Sequence, residues 1–206
     1  MERRIAELRT VRDGYDDLAD AYADHRTLDG PGTDLVRRFA RDQPVESLVL
    51  DAGCGGGLPA GRLLDEHHEV VGLDVSTAQL TRLRENVPGA VPVQGEFTGL
   101  PFADGAFDAL VSLFAVIHVP RERHAEVFAA FHRVLDSDGE ALLVVGNDAW
   151  EGRNPDWLDT GTEMFWSFYG LETNCELLRD AGFAVEVQPV ESEALGDGFR
   201  YVRARA

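Results

Sequence analysis

The chain has 206 residues, of which 44% are hydrophobic and 27% are charged, so it can form one sizeable core and is not a disordered polymer. Asp and Glu number 37 against 19 basic residues, all of them Arg, and the formal net charge is -18. Such a field repels phosphate backbones and anionic membranes. We therefore expect no nucleic acid and no membrane among the partners of this protein.

The absence of lysine has two explanations: a GC-rich genome that encodes Arg in preference to Lys, or a salt-rich cytoplasm in which carboxylates hold water. The second also accounts for the acidity and predicts a protein from a halophile. The first ten residues lack an apolar leader core, and the longest apolar stretch, 109–119, is too short to cross a bilayer. Two cysteines and the histidine spacing predict neither a disulfide framework nor a metal site. We expect a cytoplasmic monomer or homodimer.

Two helices are predicted first, one over about 13–26 and one after Pro31 and Gly32, as a lid or brace before the core. From Ser47 onward, short apolar runs alternate with amphipathic segments, which is typical of a parallel α/β sheet buried on both faces. The predicted strands are 48–50, 70–73, 90–93, 109–113, 141–145, 184–187 and 199–202, and the predicted helices between them are 59–66, 77–86, 120–135 and 173–181.

A glycine loop follows the first predicted strand. The strand ends at Asp51, and four of the five residues from Gly53 to Gly57 are glycine, which lets a backbone approach a ligand closely. A plain tight turn is the alternative. The GxGxxG fingerprint of dinucleotide folds fails when counted from Gly53 and survives weakly from Gly55. The charge of Asp51 disfavours a pyrophosphate and suits a ligand that carries an ammonium or another cationic group.

Acidic residues also follow the next two predicted strands. Asp74 stands where a carboxylate accepts hydrogen bonds from both hydroxyls of a ribose, unless it caps the following helix in place of Ser76. Glu96 could accept from an adenine amino group while Phe97 packs on the ring, and the alternative is an ordinary exposed Glu beside a core Phe.

Four segments, taken in order, resemble the class I S-adenosylmethionine-dependent methyltransferases. They are VLDAGCGGG at 49–57, VVGLDVS at 70–76, GEFTGLPFADGAFDALVS at 95–112 and LDSDGEALLVV at 135–145. The subgroup with an LPF turn, which acts on small molecules, is the most similar, although Glu96 stands where that subgroup has an aspartate. Tyr15, Asp16 and Tyr22 resemble its lid helix. The resemblance implies a Rossmann-like α/β fold: a seven-stranded, mainly parallel sheet with helices on both faces and an antiparallel last strand.

The resemblance also implies a cofactor, S-adenosyl-L-methionine, with S-adenosyl-L-homocysteine as product. Asp51 would then attract the methionine ammonium directly or through water, and the loop glycines would admit the methionine and ribose. Cys54 is expected to be a small loop residue rather than a nucleophile, because methyl transfer needs no enzyme thiol. The residues expected at the cofactor are Asp51, Gly53, Cys54, Gly55, Asp74, Val75, Glu96, Phe97, Tyr15 and Tyr22.

We expect one methyltransferase domain over 1–206. Its parts are an N-terminal helical lid (1–43), a cofactor-binding core (45–145), an acceptor-side insert and helix (147–182) and C-terminal strands (183–206).

The reaction is an in-line displacement, for which proximity and orientation are the main requirements. A general base is needed only for an acceptor that must lose a proton, and His118 is the candidate, unless it merely hydrogen-bonds the loop near Pro120. The segment 147–169 contains all three tryptophans and suits an apolar or ring-bearing small-molecule acceptor, which Tyr169 or Tyr15 could orient; aromatics that only fill a lid are the alternative. A non-catalytic cofactor-binding module and, less supported, a nicotinamide-dependent reductase are the competing functions.

Overall fold

The structure, a computed structural model, describes residues 2–24, 28, 32–189 and 198–206. The predicted end of the first helix at 26 and the predicted break at Pro31 lie outside the described residues, as does 190–197 of the C-terminal segment. The helices are α1 (Glu2–Asp17), α2 (Ala19–Asp24), α3 (Thr33–Asp42), α4 (Ala60–Leu64), α5 (Thr77–Asn86), α6 (His124–Val134) and α7 (Leu171–Asp180). The strands are β1 (Leu48–Ala52), β2 (Glu69–Asp74), β3 (Val91–Gln94), β4 (Phe107–Ser112), β5 (Leu135–Gly146), β6 (Trp150–Trp157), β7 (Thr162–Phe168), β8 (Ala184–Val187) and β9 (Phe199–Arg205).

The main sheet has the strand order β3-β2-β1-β4-β5-β9-β8. The strands from β1 to β5 pair in parallel, and β9 runs antiparallel to both β5 and β8. Buried apolar clusters cover both faces of the sheet, which explains why its central strands are near-continuous apolar runs. The predicted fold, with its antiparallel last strand, is confirmed.

Ion pairs link β5 to β9 and β9 to α3 near the amino ends of the parallel strands. Glu140 on β5 accepts hydrogen bonds from Arg203 and Arg205, both on β9, and Arg203 also pairs with Asp42 at 2.7 Å. These ion pairs lie at the end of the sheet where β5 begins. The carboxyl ends of β1, β2 and β4 meet at the opposite edge of the sheet, where open α/β sheets bind their ligands.

Two features differ from the sequence prediction. The first helix begins at Glu2 rather than near residue 13, and the segment after β5 forms a β6–β7 hairpin that the sequence pattern did not reveal. The hairpin packs on α1 through a small core of Val11, Leu18, Met164 and Phe165. Lid and hairpin therefore form one layer over the edge of the sheet. None of the described helices is long and apolar enough to cross a membrane.

Candidate active site

A cleft opens at the carboxyl ends of the parallel strands, between the sheet and α1. Its empty space is about 810 Å³ when the open solvent at its mouth is included. One wall comes from the loops after β1, β2 and β3, and the other comes from α1, α2 and the turn that joins β4 to α6. Of the residues predicted at the cofactor, those that line the cleft are Gly53, Gly55, Asp74, Val75, Glu96, Phe97, Tyr15 and Tyr22.

The glycine loop after β1 is built from left-handed backbone, with φ of 77° at Gly53, 51° at Gly55 and 83° at Gly57. A Cβ on Gly53 would lie 2.2 Å from the Cβ of Ala115, and one on Gly57 would collide with core side chains, so packing also requires glycine at both. A Cβ on Gly55 would meet nothing closer than 3.7 Å. Of these three glycines, Gly55 is therefore the one that leaves room for a ligand.

The carboxylate of Asp74 is held between two backbone amides. Gly55 N–H donates to its Oδ2 and Ser76 N–H donates to its Oδ1, each at 2.9 Å. The helix-cap role falls to Ser76, whose Oγ accepts from the N–H of Gln79 at 3.1 Å. Burial raises the pKa of Asp74, and hydrogen bonds from the backbone of Ser76, Gly55 and Val75 oppose that rise. Because each oxygen can accept a further hydrogen bond, Asp74 still offers acceptors to the cleft.

Asp51 lies beneath the glycine loop and outside the cleft lining, with 2% of its surface exposed. Its Oδ2 is buried with no hydrogen-bond partner among the described residues. Burial, and then the nearby charge of Asp74, raise the pKa of Asp51 to about 7, while a hydrogen bond from the backbone of Gly61 opposes the rise. The structure therefore places Asp51 beside the glycine loop but not in the wall of the cleft.

Cys54 also lies outside the cleft lining. Its thiol is within 3.4 Å of the carbonyl oxygen of Gly55 and packs against Gly72. Burial, with Asp74 and Asp51 nearby, raises the pKa of this thiol well above its usual value, so it remains protonated. This agrees with its expected role as a small loop residue.

Glu96 and Phe97 line the end of the cleft below β3. Thr98 Oγ1 donates to Glu96 Oε1 at 2.8 Å, and the guanidinium of Arg123 lies 3.7 Å from Glu96 Oε2. Phe97 packs edge-on against Phe131 at 5.6 Å between ring centroids. Arg123, buried in the cleft wall, is a residue that sequence reasoning missed, because its pairing with Glu96 is visible only in the fold.

The lid helix α1 is fastened to the start of α5, beside Asp74. Asp16 Oδ1 accepts from Ser76 Oγ at 2.6 Å and from Ala78 N–H at 3.0 Å, and Gln79 Nε2 donates to the carbonyl oxygen of Tyr15 at 3.4 Å. These contacts hold α1 over the cleft, so that Tyr15 lines it.

His118 joins the lid to the hairpin. Its Nε2 lies 2.9 Å from the hydroxyl oxygen of Tyr15, and its Nδ1 lies 2.7 Å from the carbonyl oxygen of Phe165. The side chain lines the cleft and is only 7% exposed. The ring nitrogens of His118 are therefore engaged by α1 and β7, not by the loop near Pro120.

Tyr169 does not reach the cleft. Its ring packs 5.9 Å from that of His124 and lies under the guanidinium of Arg121. Tyr169 is not among the residues that line the cleft, so its position does not support the expectation that it orients the acceptor.

The chain is similar to known methyltransferases. The family described as a methyltransferase domain matches residues 50–143. An uncharacterized methyltransferase of Synechocystis sp. is 32% identical over 175 residues, which cover 79% of this chain and 81% of the relative. The chain belongs to the class I S-adenosylmethionine-dependent methyltransferases. It is an enzyme whose cofactor is S-adenosylmethionine.

Two solved structures share the fold. A Burkholderia thailandensis 1,6-didemethyltoxoflavin-N1-methyltransferase, crystallised with 1,6-didemethyltoxoflavin and S-adenosylhomocysteine, has a TM-score of 0.69 at 20% identity and covers 94% of this chain and 84% of its own. A chain in the complex between the Haloferax volcanii Trm112 methyltransferase activator and a methyltransferase has a TM-score of 0.71 at 20% identity, covering 95% and 97%. The site fits a cofactor that has a ribose and a cationic end. It offers open space at Gly55, hydrogen-bond acceptors on Asp74 and a buried oxygen of Asp51 that has no hydrogen-bond partner among the described residues.

The expectation that excludes nucleic acid is wrong. An 18S rRNA (guanine-N(7))-methyltransferase of Bos taurus is 37% identical over 112 residues, which cover 50% of this chain and 39% of the relative. Net charge cannot exclude such a substrate, because it is a property of the whole chain, whereas a base is recognised by local contacts.

Proposed function

We propose that this methyltransferase acts on a small molecule with a flat ring, bound between the lid and the turn after β4. One observation carries the proposal: besides Asp74 and Glu96, the lining of the cleft is largely apolar and includes side chains of α1 and Phe114. An apolar pocket with few polar groups favours a ring over a strongly charged acceptor.

For the cofactor half we propose that Asp74 accepts from the ribose hydroxyls and that Glu96 and Phe97 hold the adenine. Gly55 would let the backbone approach the cofactor. S-adenosylmethionine supplies an electrophilic methyl group on a sulfonium. The work of this chain is then to align the acceptor with that methyl and to exclude water, which the buried walls of the cleft favour.

A guanine base in RNA is the second candidate, favoured by the rRNA methyltransferase relatives. It is also a flat ring, so the same pocket would receive it after the base leaves its stack. The Haloferax volcanii protein with a similar fold was solved in complex with the Trm112 methyltransferase activator. We therefore propose to test whether an activator protein raises the activity of this chain.

The test is a methyl-transfer assay with isotopically labelled S-adenosylmethionine in high salt. The acceptors are 2-naphthol, 2-naphthalenethiol, 1,6-didemethyltoxoflavin, guanosine and rRNA, each with and without Haloferax volcanii Trm112. We expect transfer to at least one free ring compound. Transfer to rRNA alone would replace the small-molecule proposal with the second candidate, and tight S-adenosylhomocysteine binding without any transfer would favour a non-catalytic module.

A further inference from the structure

The hydrogen bonds of His118 determine which nitrogen carries its proton. The carbonyl oxygen of Phe165, 2.7 Å from Nδ1, can only accept, so Nδ1 carries the hydrogen. In the neutral ring Nε2 then has a lone pair, and the hydroxyl of Tyr15 at 2.9 Å donates to it. The phenol proton of Tyr15 is thus already directed toward a base.

An acceptor in the cleft meets Tyr15 before it meets the basic nitrogen of His118. His118 is 7% exposed and its Nε2 is covered by the Tyr15 hydroxyl, whereas Tyr15 is half-buried and lines the cleft. A direct proton transfer to His118 would require that Tyr15 move away. Without that movement, a proton reaches Nε2 only through the oxygen of Tyr15.

We propose that Tyr15 is the catalytic residue that receives the acceptor's proton and that His118 is the positioning residue that takes the proton from Tyr15. This inference rests on the proposed function, since it concerns acceptors that lose a proton. As the bond from acceptor to methyl carbon forms, the carbon–sulfur bond breaks and its electron pair leaves with the neutral thioether. The acceptor's proton passes to the Tyr15 oxygen, and the phenol proton passes to Nε2. The resulting imidazolium then gives its proton to the solvent.

The surroundings suit this relay. The Phe165 carbonyl stabilises the imidazolium through Nδ1, in the way an orienting group assists a general base. Neighbouring rings hold the pair in place. The rings of Tyr22 and Trp157 lie 5.2 and 5.7 Å from the ring of Tyr15. The ring of Trp166 lies 5.5 Å from the ring of His118. The charged side chains on the cleft wall are Asp74, Glu96 and Arg123.

The tautomer is tested by nitrogen NMR of the imidazole rings in the complex with S-adenosylhomocysteine, with His118→Gln to assign the signal. We expect a hydrogen on Nδ1 and a hydrogen-bonded lone pair on Nε2. Tyr15→Phe should move the Nε2 signal to the value of a free lone pair, while Tyr201→Phe, which removes a phenol from β9 outside the cleft lining, should not. A hydrogen on Nε2 in the neutral ring would overturn the proposal.

The proton transfer is tested on two probes with the same ring. Transfer to 2-naphthol must release a proton, whereas 2-naphthalenethiol is largely ionised in mildly alkaline buffer. We expect Tyr15→Phe to lower kcat on 2-naphthol by on the order of a hundredfold and to leave the thiol and the S-adenosylhomocysteine affinity nearly unchanged. Equal losses on both probes would mean a structural role. If the parent methylates neither probe, the proposed acceptor class fails for these rings, and the tautomer measurement still decides this inference.

Discussion

The two halves of the cleft are built in different ways. The cofactor half uses backbone groups and acids at the ends of adjacent strands, such as the amides that hold Asp74. The acceptor half uses side chains from α1, the turn after β4 and the hairpin, which meet only because the lid packs on β7. Changes in the first half should therefore alter cofactor affinity, whereas changes in the second should alter stability and turnover.

The largest effect is expected at Gly55. Gly55→Val should lower cofactor affinity by more than about a hundredfold, because the side chain would enter the open space where we place the cofactor. Calorimetry with S-adenosylhomocysteine measures the loss. Since φ is positive at Gly55, a side chain there also strains the backbone, and Gly161→Val is the matched control. Gly161 has φ of 76° with nothing within 4 Å, so its variant carries similar strain outside the cleft. Equal losses in both variants would show that the loop is only a turn.

The raised pKa of Asp51 makes the free energy of unfolding depend on pH. Its pKa is raised in the folded state to about 7 from an ordinary 3.8, so between those values the folded chain holds a proton that the unfolded chain releases. The Asp51 contribution to stability therefore falls as pH rises through this window, by at most about 1.4 kcal/mol per pH unit, and levels off above about pH 7. Asp51→Asn should remove that part of the slope in urea unfolding. A variant that retains the parent's pH dependence would contradict the assignment.

Asp74→Ala should weaken S-adenosylmethionine and S-adenosylhomocysteine alike, by about ten- to a hundredfold, because two ribose hydroxyls would lose an acceptor. Asp74→Asn, which retains one acceptor oxygen, should lose less. Calorimetry on both ligands checks this, with circular dichroism for folding. An effect confined to S-adenosylmethionine would instead indicate an interaction with the sulfonium.

The smallest effect on cofactor affinity is expected in the acceptor half. Trp157→Ala removes ring contacts with Tyr15, Tyr22 and Trp166 and should lower the free energy of unfolding by about 1–2 kcal/mol. Affinity for S-adenosylhomocysteine should stay within about twofold. A large loss of affinity would show that the two halves are not separable.

The sequence predicted most of the sheet and the cofactor half because both depend on local patterns. Buried parallel strands are short apolar runs, and the acids that follow them must meet at one edge. The β6–β7 hairpin escaped prediction because β6 is largely exposed and β7 shows no clean alternation of buried and exposed residues. The salt-rich origin remains a prediction.

Contacts between distant segments could not be read from the sequence at all. Tyr15 and His118 are 103 positions apart, and the pairing of Glu96 with Arg123 depends on how α6 begins. From the sequence, His118 was proposed as a base and Tyr169 or Tyr15 as a group that orients the acceptor, and the contact between Tyr15 and His118 was not foreseen. Packing of α1 against the hairpin, rather than any motif, decides that contact.

The bond from Ala78 to Asp16 makes one amide a reporter of lid opening. Amides in the first turn of a helix have no partner within that helix, so they ordinarily exchange their hydrogen with water quickly. The N–H of Ala78 instead donates to a carboxylate on α1. Its hydrogen-exchange rate should therefore measure how often the lid separates from α5, and a ligand that holds the lid closed would slow the exchange at this single position.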